Sequence, residues 1–275
     1  MSWFDNLKSM FTGRAPPREP RPDRVPEVVA EMEARARPCI RLAPGGDGRS
    51  RLGGLPQMTS DWPRSDGRAL GFVAQLDLPT LRAVGGPDWL PAEGRLLVFY
   101  DFEHQPWGIE PSDLGTFVVR HEVGEAPLAQ APGDLHEDAQ FPAYPVTYVQ
   151  ARSYAGWERL SVDWNSLSKQ EDRELERILD EQAPAEPAHQ IGGYPAPIQA
   201  DGMEDVCQRI VSSLFDAAMG APQSRSEDWR LLLQVDSDNE VGFMWGDTGR
   251  IYIWVREQDA RAGDFSKAWL ILQCS

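Results

Sequence analysis

Four short segments of this 275-residue chain recur in the same order, and that recurrence constrains the fold more than any single motif. Gly53-Gly54-Leu55-Pro56 returns as Gly192-Gly193-Tyr194-Pro195, and Phe72-Val73-Ala74-Gln75-Leu76-Asp77 returns as Leu231-Leu232-Leu233-Gln234-Val235-Asp236. Gly94-Arg95-Leu96-Leu97-Val98-Phe99 returns as Gly249-Arg250-Ile251-Tyr252-Ile253-Trp254, and an apolar strand closes each series at 116–121 and 268–273. Short apolar runs punctuated by Gly and Pro read as strands joined by turns. The expected fold is α+β: mainly antiparallel sheets from internal duplication of a β-rich unit, with peripheral helices. The expected division is a leader helix, Pro-rich spacer and short helix over 1–37, a first repeat over 38–165 and a second over 166–275. The repeats pack as one globular domain.

Strands are expected at 72–78, 95–102 and 116–123, with a loop over 124–147. Helical spacing marks 26–36, where Val28, Val29 and Met32 share a face and Pro38 ends the run. The charged stretch 166–181 reads as a solvated helix. A helix inserted in the second repeat runs 203–219, with Val206, Ile210 and Leu214 on its buried face and Gly220 as its cap. At the N-terminus, Trp3, Phe4, Leu7, Met10 and Phe11 form the apolar side of an amphipathic helix over 1–14. Such a helix can touch a membrane surface weakly, dock a partner protein or fold back on the body.

Hydrophobic residues at 41% and charged residues at 25% describe a globular chain. No apolar run is long enough to span a bilayer, and Asp5 and Lys8 interrupt any secretory core, so the expected location is the cytoplasm. Cys39, Cys207 and Cys274 are odd in number and far apart, which suits reduced thiols. The formal charge of −16 opposes binding to nucleic acid, which rewards cations that displace counterions. Lys8, Lys169 and Lys267 are the only lysines. Such a preference for arginine fits either anion recognition or a compositional bias of the coding sequence.

Gln75 and Asp77, like Gln234 and Asp236, are two apart on a strand and so point the same way. Across a two-fold axis the two pairs would line a small-ligand cleft; alternatively each Gln holds a neighbouring turn and each Asp opens the following loop. Asp236, Asp238, Glu240 and Asp247 echo the oxygen spacing of a calcium loop, but Val241 stands where that loop needs glycine, so a hairpin with solvated acids is expected. The candidate ligand-binding set is Gln75, Asp77, Gln234, Asp236, Asp238, Trp245 and Asp247. Nucleophile elbows, phosphate loops, zinc spacings and dinucleotide fingerprints are missing, so no catalytic residue, metal or cofactor is assigned. His189, ahead of the second glycine turn, is expected to order it, and the dispersed tryptophans read as core.

The same segments carry a family resemblance. Gly53-Gly54-Leu55-Pro56, Trp62-Pro63, Ala74-Gln75-Leu76-Asp77 and Leu90-Pro91-Ala92-Glu93-Gly94 resemble the first half of the YwqG-like family. Gly193-Tyr194-Pro195-Ala196-Pro197-Ile198-Gln199, Leu233-Gln234-Val235-Asp236-Ser237-Asp238, Trp245-Gly246-Asp247-Thr248-Gly249 and Leu270-Ile271-Leu272-Gln273-Cys274-Ser275 resemble its second half. The resemblance spans 38–275 and implies a bacterial, cytosolic, duplicated α+β fold without an assigned reaction. In some bacteria, members of the family that the chain resembles are encountered near toxin and immunity genes. Two functions follow as expectations: an acidic protein that captures a partner, immunity-like, or a small-ligand binder or enzyme using a cleft between the repeats.

Overall fold

The structure is a computed structural model that describes residues 23–216 and 225–275. The expected leader helix, the spacer, and the end and cap of the helix expected over 203–219 lie outside them. Helix α1 (Val25–Arg35) starts on a proline of its first turn and buries Val25, Val28 and Met32. It leads into the strands β1 (Arg37–Pro44), β2 (Arg51–Leu52), β3 (Arg64–Ser65), β4 (Arg68–Ala69) and β5 (Gly71–Asp77). Helix α2 (Leu78–Ala83), β6 (Arg95–Tyr100), β7 (Phe117–Glu122) and β8 (Tyr144–Ser153) follow. The rest is α3 (Lys169–Gln182), β9 (Gln190–Ile191), α4 (Met203–Val211), β10 (Trp229–Asp236), β11 (Arg250–Arg256), α5 (Glu257–Arg261) and β12 (Trp269–Gln273). The helix that begins at Met203 changes to a π-helical turn at Ser212–Asp216.

Ten strands form one antiparallel sheet in the order β12-β11-β10-β9-β1-β8-β2-β5-β6-β7. β1 pairs along its whole length with β8, from Arg37 opposite Ser153 to Pro44 opposite Val146. Outward from this central pair the order is matched on both sides: a two-residue strand, then three longer ones. Both β5 and β10 carry a bulge, between Phe72 and Ala74 and between Leu231 and Leu233. β1 and β8 were absent from the expectation, which placed residues 124–147 in a loop. The missed signal is the alternation of Ile40 and Leu42 with Cys39 and Arg41.

The sheet curls into a nearly closed barrel. Its two edges approach where Phe117 of β7 meets Trp269 of β12 edge to face, ring centroids 5.1 Å apart. The strap at Trp107–Gly108 covers the edge of β12: Leu272 N donates to Trp107 O (3.0 Å) and Trp269 Nε1 to Gly108 O (2.7 Å). A Cβ at position 108 would lie 1.7 Å from Leu270 O, so only glycine permits this approach. The main core, including Ala74, Leu76, Val98, Val235, Ile251 and Ile253, fills the interior.

Strict alternation along β5 would put Phe72, Ala74 and Leu76 on the face opposite Gln75, and the bulge changes this for Phe72. Phe72 shares a satellite cluster with Leu97, Phe99 and Met58, while Val73 and Ala74 join the main core. Phe72 therefore faces the same side as Gln75, whose cross-strand neighbour is Leu97. A third cluster joins α1 and α3 through Val28, Met32 and Leu175, with Tyr194 at its border. Ser168 and Glu171 cap α3 reciprocally. No helix among the described residues is long and apolar enough to cross a membrane.

Candidate functional site

The two Gln-x-Asp strands hold the two glycine turns through the same set of bonds. Gln75 Nε2 donates to Arg49 O (2.8 Å), and its Oε1 accepts from Gln57 N (2.8 Å). Gln234 Nε2 donates to Ala188 O (2.6 Å), and its Oε1 accepts from Ala196 N (2.9 Å). In both cases the carbonyl lies just before the short strand and the N–H just after the Gly-Gly-x-Pro turn. Asp77 N donates to Ser50 Oγ and Asp236 N to His189 Nδ1, at 3.0 and 3.1 Å. Arg95 Nε reaches Gln57 O (2.6 Å) as Arg250 Nη1 reaches Ala196 O (3.0 Å). Glu122 accepts from Thr59 N (3.1 Å) as Gln273 accepts from Ile198 N (3.0 Å). Each turn is clasped against the outer face of the sheet by three successive strands.

The carboxylates differ. Asp77 caps α2, accepting from Thr80 N (3.0 Å) and the Thr80 hydroxyl (2.5 Å). Asp236 is buried, accepts from Ala188 N (2.7 Å) and pairs with Arg250 Nε (2.8 Å). The two Gln-x-Asp pairs are not brought together: β5 and β10 are separated by β2, β8, β1 and β9, and each pair serves its own turn. Both glutamines are buried with amide oxygen and nitrogen satisfied, as architecture demands.

The acidic segment also departs from expectation. Asp236 and Asp238 are buried, not solvated, while Glu240 and Asp247 are exposed. Asp238 Oδ2 lies 3.1 Å from His189 Nε2, and its Oδ1 accepts from Glu240 N (2.8 Å). The bond to His189 holds the Asp238 carboxyl below its ordinary range. His189 Nδ1 accepts from a backbone N–H, which places the ring proton on Nε2 and leaves no lone pair for base chemistry. His189 does order the turn region. No group of three His, Cys, Asp or Glu among the described residues is placed to hold a metal. Trp245 is fully buried among Tyr100, Phe102 and Phe243.

Beside the second clasp lies a cavity of about 370 Å³, walled by Arg41, Arg250, Gln190, Tyr154, Trp157 and Tyr194 among others. Arg41 is the residue sequence reasoning missed, because it sits on the unrecognised β1. Its Nη1 is closed from solvent and has no hydrogen-bond partner among the described residues. Burial lowers its pKa, Cys39 opposes this, and the charge of Arg250 lowers it further by the smallest amount of the three. Arg250 also binds Glu186 (2.6 Å), whose side chain is 76% exposed at the rim.

Fold and site together define an α+β protein around a nearly closed antiparallel barrel, with two clasped turns and an arginine-lined cavity beside the second. Residues 50–274 match the model of a family described as a domain of unknown function (DUF1963), and the chain belongs to that family. No curated protein matches it.

Proposed function

We propose that the protein is a binding protein whose Arg41 cavity receives the carboxylate or phosphate group of a small ligand. Arg41 carries this reading. A half-buried guanidinium with no carboxylate beside it is costly, and an anion between Arg41 and the Arg250 wall relieves that cost. Arg250 is already neutralised by Asp236 and Glu186, and the exposed Glu186 can swing aside for a ligand. Nearby nucleophiles are committed to the fold, which favours binding over covalent chemistry. Burial raises the Cys39 thiol, and the Ser153 hydroxyl accepts from Tyr194 N (2.8 Å).

Thermal melting with phosphate and with small carboxylates at low salt tests the reading. A saturable rise in melting temperature that is absent in Arg41→Gln is expected. Equal rises in both proteins, or none in the wild type, sink it.

A second reading, capture of a basic partner protein in an immunity-like role, draws on the net charge of −16 and on the acidic face of α3. It calls for association that weakens steeply with salt. We also read the chain as an internal duplication in a bacterial cytosolic setting, close to the YwqG-like family. The matched clasps support this, and the second unit then begins near Tyr144, since β8 stands to β2 as β1 stands to β9.

A further inference from the structure

The cavity beside the second clasp is electrically polarised. Arg41 is half-buried in its wall, whereas the carboxylates that line it, Asp180 and Glu186, are exposed at the rim. Glu186 shares Arg250 with the buried Asp236, so these three side chains together carry one negative charge, and Glu186 presents it to solvent. Asp180 belongs to the last turn of α3, a turn without a basic side chain. Carbonyl groups left over at that helix end add to the negative potential. Trp157, 36% exposed, borders the same opening, and an aromatic ring there favours a cation over an anion. Leu179, Pro184 and Pro197 supply apolar lining.

Resting on the reading of Arg41 as an anion site, we propose that the ligand is a short linear amino acid with a carboxylate at one end and an ammonium at the other. The carboxylate goes inward to Arg41, and the ammonium stays at the rim with Asp180, Glu186 and the end of α3. The methylene chain between them lies on the leucine and proline lining. A simple anion leaves the charge of the rim unanswered. An α-amino acid carries both charges on one carbon, so it cannot serve a half-buried arginine and an exposed rim together.

The test is calorimetric titration of the full chain with 5-aminopentanoate, and with pentanoate, pentylamine, glycine and phosphate for comparison. 5-Aminopentanoate is expected to bind about tenfold more tightly than pentanoate, and pentylamine and glycine not measurably. Asp180→Asn combined with Glu186→Gln, both at exposed positions, should bring 5-aminopentanoate and pentanoate to equal affinity. Arg41→Gln should abolish binding of both acids. Equal binding of pentanoate or glycine by the wild type overturns the inference, as does a preference for 5-aminopentanoate that survives the double substitution. If pentanoate or phosphate binds without that preference and Arg41→Gln removes the binding, only the amino acid is ruled out and the anion site stands. Failure of every anion to bind overturns both.

Discussion

Beyond β2 and beyond β9 the sheet meets the same problem and solves it differently. Past β2, the Phe102 ring lies where a Cβ on Gly71 would be 2.2 Å away, and Phe141 packs on it with centroids 4.9 Å apart. The cavity left near Gly71 and Phe102 is about 10 Å³. Past β9 the corresponding space holds Arg37 and three tryptophans around about 290 Å³. The clasps share their glutamine and arginine bonds to the two turns, so those bonds do not decide which end is open. Side-chain choice at the strand ends does, and a scaffold of this kind can gain or lose a pocket without changing its hydrogen-bond frame.

The clasps can be broken unequally. Arg250→Met strands the buried Asp236 carboxylate and should cost about 3–5 kcal/mol, whereas Arg95→Met frees only carbonyl acceptors and should cost about 1–2 kcal/mol. Chemical denaturation reads both, and equal losses would show that Asp236 is not held by Arg250. Gln75→Ala and Gln234→Ala should each cost about 2–3 kcal/mol, because each leaves a buried N–H and C=O without partners. A several-fold difference between them would break the equivalence of the clasps.

A smaller effect separates the halves by pH. Asp238 has its folded pKa depressed, so its contribution to stability is present at neutral pH and is lost as pH falls below the ordinary carboxylate range. Asp238→Asn should flatten that part of the acid limb in melting experiments, and an unchanged limb would deny the His189 bond a role. Least of all, Arg37→Gln should change stability by no more than about 0.5 kcal/mol, since the side chain is exposed and its contact is with one ring.

The strands that were legible in the sequence are those with a local signal. β5, β6, β10 and β11 are continuous apolar runs next to glycine turns, and both turns were placed correctly. Helix α3 was legible from Ser168 and the charged run behind it. β8 was not, because Pro142, Ala143 and Pro145 disguise its start, and its pairing is set by β1 far away in the chain. The glutamines stood out as repeated buried amides, and their targets were the turns, one of the two roles the pattern allowed. What could not be read was contact with residues on the missed strand. Arg41 became a candidate only once β1 had a place beside β9.

The central pairing of β1 with β8 and β9 has a consequence for how the chain is made. β1 is translated early, yet both its neighbours, β8 and β9, emerge long after it. Closure of the barrel then waits for β12, the last strand of the chain. Such non-local order slows folding and exposes the edge of β1 in the interval, so a nascent chain stalled before β8 presents an unpaired strand. Fragments cut at residue 143 would each lack the strand that belongs beside their own short one. They should regain structure only when mixed, each supplying the other's missing neighbour.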